Sequence, residues 1–270
     1  MGSSEDLTDS REGPPPLTPI LERPPIVEVV CGLVFDPLPL DGMLLGVYWD
    51  ERKDDFPKRS LQPPLVDGLH LVLHPEQVRA MLESSDGVRV LQIQHDRFYM
   101  NWRARGAVYP RFSGGSEGVG LMQHALQEYE RFAVFCESRV GSRPSARRIE
   151  LTKVDVLPRG EVWFDIDDLA KLVPITGTFG PLREQGRREI ALRFVEHHDD
   201  EAVTVSLTSL LSEPGGEMIA LHIETRVTCV LRDDTNVESR FRAANRTANR
   251  VFFLLVPDPQ RFGVREVRTS

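Results

Sequence analysis

Cysteine is scarce: Cys31, Cys136 and Cys229 are the three in 270 residues. They show no C-x-x-C or zinc-ligand spacing, and an odd, scattered set does not make a disulfide framework. Each lies in an apolar run, so each is expected to be a small buried hydrophobe in a reducing compartment, the cytoplasm. Long apolar runs are missing too. Nothing approaches the ~20 residues of a membrane-spanning helix, and the opening segment MGSSEDLTDSREGPPP has no apolar signal core. Positive charge is also in short supply, with 33 Lys and Arg against 41 Asp and Glu and a net charge of −8. That balance gives no general attraction to nucleic acid or anionic lipid, so any such binding needs a local patch. Catalytic signatures are absent as well. There is no G-x-S-x-G elbow, no Cys/His nucleophile signature, and no Lys-Ser/Thr ending after the glycine-rich SGGSEGVG at 113–120. No catalytic residue, metal site or cofactor is assigned, and an enzyme is not favoured.

What is present is an ordinary globular composition, 40% hydrophobic and 27% charged, able to bury a sizeable core. Residues 1–24 are polar and proline-rich and are expected to be disordered or draped as an extended arm. Pro24 and Pro25 enforce an extended entry into the β-branched run Ile26 to Val34, a strand. Leu40, Met43, Leu44, Val47 and Tyr48 follow at helical spacing and predict a short helix. A second helix is predicted over LMQHALQEYERFAVFCES, with Met122, Ala125, Leu126, Tyr129, Phe132, Ala133 and Cys136 as its apolar stripe.

The second half echoes the first. RRIELTKVDVLP reads as a strand and DIDDLAKLV as a short helix. Three long strands follow, joined by EHHDDE and SEPGGE, and a final helix runs from about Val237 to Leu255. Strands grouped together and then packed by helices indicate an α+β protein with antiparallel sheets. Two similar lobes are expected, each ordered strand, helix, strands, helix. The expected divisions are an arm at 1–24, an N-terminal lobe at 25–143 and a C-terminal lobe at 144–270.

The segment QHDRFYMNWRARGAVYPRF, at 94–112, gathers five aromatic rings and four arginines. It belongs to a hairpin with His95 and Asp96 at the turn. Period-two alternation puts Phe98, Met100 and Trp102 on one face and Tyr99, Asn101, Arg103 and Arg105 on the other. One face is core and the other wet. The wet four are a candidate nucleic-acid or ligand surface, since sheet surfaces can stack bases and contact phosphates. Packing against the second lobe is the competing account.

His197, His198, Asp199 and Asp200 are metal-ligand types, but consecutive turn residues diverge rather than converge, and a solvated turn is the simpler reading. His222, Glu224 and Arg226 share a strand face and fit cross-strand pairing. Asp165, Asp167 and Asp168 fit a helix cap better than a magnesium site. In the last helix Val237, Phe241, Ala244, Ala248, Val251 and Leu255 form one seam, with Arg242, Arg246 and Arg250 on the opposite side at 100° per residue. Glu238 can pair with Arg242, whereas Arg246 and Arg250 have no acid three or four positions away. These three arginines are the candidate partner-binding surface, because guanidinium forks suit acidic or phosphate partners.

Four segments together carry a family resemblance: the opening PPIVEVV, the hairpin LQIQHDRFYMNWR followed by YPRF, the strand RRIELTKVDVLP, and the ending ANRTANRVFFLLVPDPQRFG. They span nearly the whole chain. The sequence resembles a sporadically distributed family of prokaryotic proteins of similar length to which no activity attaches. The strand departs from that pattern near Leu151 to Asp155, where an aromatic and an asparagine would lie. The resemblance implies the architecture and no chemistry, and the patchy distribution fits phage-defence or mobile-element cargo. The expected function is a non-catalytic binding or adaptor protein, an accessory subunit of a larger prokaryotic system with a protein partner. A nucleic-acid binder (RNA or single-stranded DNA) and a small-molecule sensor or hydrolase with a pocket between the lobes are the alternatives. Homodimerisation stays open.

Overall fold

Alternating apolar residues along Ile26–Phe35 and Ala146–Pro158 build two long neighbouring strands at the centre of the molecule. The computed structural model describes residues 19–65, 78–114, 118–177, 189–232 and 235–265. Strands of the first half are β1 (Ile20–Leu21), β2 (Ile26–Phe35), β3 (Lys58–Gln62), β4 (Arg79–Glu83), β5 (Arg89–Gln94) and β6 (Arg97–Arg103). Its helices are α1 (Gly42–Arg52) and α2 (Leu121–Val140). The second half has β7 (Ala146–Pro158), α3 (Ile166–Leu172), β8 (Ala191–His198), β9 (Glu201–Leu211), β10 (Met218–Val230), α4 (Val237–Leu255) and β11 (Val264–Arg265).

Nine strands form one antiparallel sheet in the order β3-β4-β5-β6-β2-β7-β10-β9-β8. In each half the first strand is innermost, the last strand pairs beside it, and the others follow outward. The halves meet through the β2–β7 ladder, with Cys31 opposite Leu151 and Leu33 opposite Ile149. The order strand, helix, strands, helix therefore occurs twice, on a single continuous sheet.

One face of the sheet is dry. Val29, Cys31 and Leu33 of β2, Phe98, Met100 and Trp102 of β6, and Leu221, Ile223, Val227 and Cys229 of β10 are all buried there. The helices cover this face with α2 and α4. Phe132 of α2 lies 5.4 Å from Phe98 and 5.6 Å from Tyr48 of α1, ring centre to ring centre. Phe241, Ala244, Ala248 and Phe252 form the buried seam of α4. The three cysteines are free and buried. Burial pushes the thiols of all three up, to about 12, so they behave as packing residues.

Several expectations shift in detail. Asp41, not Leu40, opens α1: its carboxylate caps Leu44 N at 2.9 Å. The buried face is Leu45 and Tyr48, continued by Arg52, which reaches Glu128 of α2 at 2.8 Å. Met43 is 82% exposed. Contact with α2 thus turns the helix by one residue from its sequence stripe. In α4 the dry seam takes Phe252, while Val251 and Leu255 are half-buried. Strands β3 and β4 have no sequence expectation. The arm lies outside the described residues up to residue 18, and from there Ile20 and Leu21 pair with Arg265 and Val264.

Candidate functional site

The period of two along β7 puts Ile149, Leu151, Lys153, Asp155 and Leu157 on the dry face, under α4. Two ionisable groups thus stand where the pattern demands apolar ones. Lys153 is 5% and Asp155 4% exposed. Their strand neighbours are Val29 and Thr225 beside Lys153, and Ile223 beside Asp155. Lys153 Nζ donates to Asn249 Oδ1 of α4 at 2.6 Å and lies 5.9 Å from the Phe112 ring centre. Asp155 accepts no hydrogen bond and joins no ion pair among the described residues. Burying a carboxylate without donors is costly, so the position calls for a reason. Burial lowers the Lys153 pKa, which Asp155 and then Cys31 partly restore, and burial raises that of Asp155 against the pull of Lys153. Both shifts move the groups toward neutrality.

Asp155 and Lys153 open into a cavity of about 310 Å³. Its roof is α4, through Asn245, Ala248, Asn249, Phe252 and Phe253, and its far wall is Tyr109, Arg111 and Phe112 after β6. The arm supplies the rim, with Ile20, Leu21 and Pro24, joined by Pro25 at the entry to β2. Both halves of the chain therefore contribute. Asn245 Oδ1 is buried without a partner among the described residues, as is Thr225 Oγ1 beside Lys153. Arg111 holds the arm by donating from Nη2 to Leu21 O at 3.0 Å, from a left-handed backbone with φ 61°. That conformation costs a non-glycine residue about 1 kcal/mol and is concentrated at functional sites. A mostly apolar pocket with a few convergent polar groups is what small-molecule sites look like.

The residues singled out in the sequence lie elsewhere. Tyr99, Asn101 and Arg103 are on the open face of the sheet, at a groove of about 480 Å³ that also holds Glu28, Arg79 and Glu150. Tyr99 is 6% exposed, its ring lies across Gly32 and its hydroxyl donates to Glu150 Oε2 at 2.9 Å, so it presents no free stacking face. Asn101 is buried, donating to Glu28 Oε1 at 2.6 Å, and Arg103 Nε donates to the same oxygen at 3.0 Å. Arg105 is exposed beyond the strand end. On α4, Arg242 pairs with Glu238 at 2.6 Å. Arg246 and Arg250 are exposed and have no hydrogen-bond or ion-pair partner among the described residues.

The remaining polar clusters have structural work. Asp165 caps α3, accepting from Asp168 N at 2.8 Å, and Asp168 pairs with Arg261 at 2.6 Å. Asp200, in the turn between β8 and β9, pairs with Arg240 of α4, and His198 meets Glu196 at 2.8 Å. No group of three or more His, Cys, Asp or Glu gathers as a metal site among the described residues.

Lys153, Asp155, Asn245 and Asn249 were not site candidates from the sequence, yet two signals for them are in it. The first is a Lys and an Asp at core positions of an alternating strand. The second is the tandem ANRTANR at 244–250, where each step of 100° sends Ala to the seam, Asn toward the pocket and Arg to solvent. No family model matches the chain, and no curated protein matches it. Among solved structures it is similar to DynU16, a protein of the dynemicin biosynthetic locus, at 16% identity over 85% of this chain and 96% of that one. The TM-score of 0.21 is too low for that likeness to bear on fold or function.

Proposed function

We propose that this is a non-catalytic binding protein that holds a small ligand between β7 and α4. The observation that carries the reading is Asp155, a buried carboxylate without a hydrogen bond among the described residues, lining a cavity to which both halves of the chain and the arm contribute. A purely structural protein gains nothing from that cost, whereas a ligand donor would repay it. The test is native mass spectrometry of the protein purified gently from its own host, followed by denaturation and small-molecule analysis. A stoichiometric small molecule should accompany the wild type and be missing from Ala248→Phe, which fills the cavity roof. Absence from both, with no thermal shift in a fragment screen, would count against the pocket.

A second reading is favoured by a separate observation. The side of α4 away from the sheet presents Arg246 and Arg250 without a partner among the described residues. Such a surface suits the acidic face of a protein, as an accessory or adaptor subunit of a larger prokaryotic system would need. The two readings are compatible, because α4 turns its asparagines to the pocket and its arginines outward. Arg246→Glu with Arg250→Glu should abolish co-purification of a protein partner and leave the small molecule in place. Free, buried thiols agree with a cytoplasmic setting.

A further inference from the structure

We propose that the pocket takes a small zwitterion with an apolar tail, of the α-amino-acid type, with its carboxylate at Lys153 and its ammonium at Asp155 and Asn245. The inference rests on the pocket reading above and names its ligand class. An ammonium has three N–H donors, and at Lys153 one of them is spoken for, by Asn249. Asp155 lines the cavity with no donor among the described residues, and Asn245 beside it has its Oδ1 buried without a partner there.

The two charges stand two positions apart on one strand face, roughly 7 Å along the backbone, and no ion pair joins them directly. They place one cation-forming and one anion-forming group on the same wall of the cavity. A purely cationic ligand at Asp155 would be repelled by Lys153, and a purely anionic one at Lys153 by Asp155. Inside apolar walls such repulsion is poorly screened. A zwitterion answers both ends and brings no net charge into the pocket. The walls beyond them, Phe112, Phe252, Phe253 and Ile20, suit an apolar side chain.

Isothermal titration calorimetry on the full chain compares phenylalanine with its two single-charge analogues, 2-phenylethylamine and 3-phenylpropanoate, and then with the other apolar amino acids. The zwitterion should bind at least about tenfold more tightly than either analogue, the worth of one charge-assisted hydrogen bond. Asp155→Asn should erase that margin over the acid, and Lys153→Met the margin over the amine. Asn245→Leu, on the helix, removes an acceptor without touching the sheet and should weaken zwitterion binding in the same direction. An analogue binding as tightly as the zwitterion, in a manner lost in Ala248→Phe, would overturn the zwitterion while leaving the pocket. So would a co-purifying molecule of another class. Silence from every amino acid and both analogues, with no co-purifying molecule, would overturn both.

Discussion

Replacing Lys153 and Asp155 together, by Met and Leu, is expected to stabilise the protein. In the wild type, among the described residues, the carboxylate has no hydrogen-bond donor and the ammonium has one acceptor, and both are almost wholly buried. Removing an unsatisfied buried polar group regains about 1–3 kcal/mol. Replacing a buried charge pair by apolar residues of similar volume is neutral or stabilising by up to about 4 kcal/mol. A gain of about 2 kcal/mol corresponds to a rise in Tm of about 4–8 °C for a chain of this size. Each single replacement also removes the attraction that the two groups exert on one another, so each should gain less than the double replacement.

The pH dependence follows from the directions of the shifts. Asp155 is raised in the folded state, so its stabilising contribution is whole below the ordinary carboxylate value of about 4 and is lost as pH rises toward neutrality. Lys153 is lowered, so the folded state loses stability as the amine charges, from the ordinary value of about 10.4 down toward neutrality. Both penalties coexist near neutral pH. The advantage of the double variant should therefore be largest there and shrink toward pH 4 and toward pH 10. Thermal and urea denaturation of the wild type and the variant across that range measures the difference directly. A double variant no more stable than the wild type, or a gain that is flat with pH, would refute the reasoning.

Glu128 joins α2 to α1 through Arg52 at 2.8 Å and also pairs with Arg131 at 2.8 Å, with 7% of its side chain exposed. Glu128→Ala leaves Arg52 with Asp55 alone, at 3.0 Å, and should cost about 1–3 kcal/mol in urea unfolding. Gly32 has no room for a side chain, since an added Cβ would sit 2.3 Å from Tyr99 Cε1. Gly32→Ala should cost about 1–3 kcal/mol by overpacking, and part of that should return when Tyr99→Ala is added, a coupling that a double-mutant cycle reads. Asp165→Ala removes the cap of α3 and should cost about 1 kcal/mol by the same assay.

Where structure is set by neighbours along the chain, it was legible. The last helix spans Val237–Leu255 as its apolar spacing predicts, with Asn236 capping Ser239 N at 2.9 Å. The hairpin turns at His95 and Asp96, and Phe98, Met100 and Trp102 face the core because a pleated strand alternates whatever it pairs with. Strand β3 was not legible: KRSLQ is exposed along its whole length, so burial left no alternation in it. The face of α1 depended on α2, a partner some eighty residues away, and not on its own spacing.

The sequence by itself determined the α+β class, the alternating strands, the long helices and the outward arginines of α4, because these follow from local periodicity. Only the tertiary structure decided that β2 pairs with β7 and joins the halves in one sheet. It alone brought Asn245 and Asn249 over Lys153 and Asp155, and Tyr109, Phe112 and the arm around them. A pocket is made by contacts between segments distant in sequence, and a period of two or 3.6 residues carries no record of which segment will lie across from it.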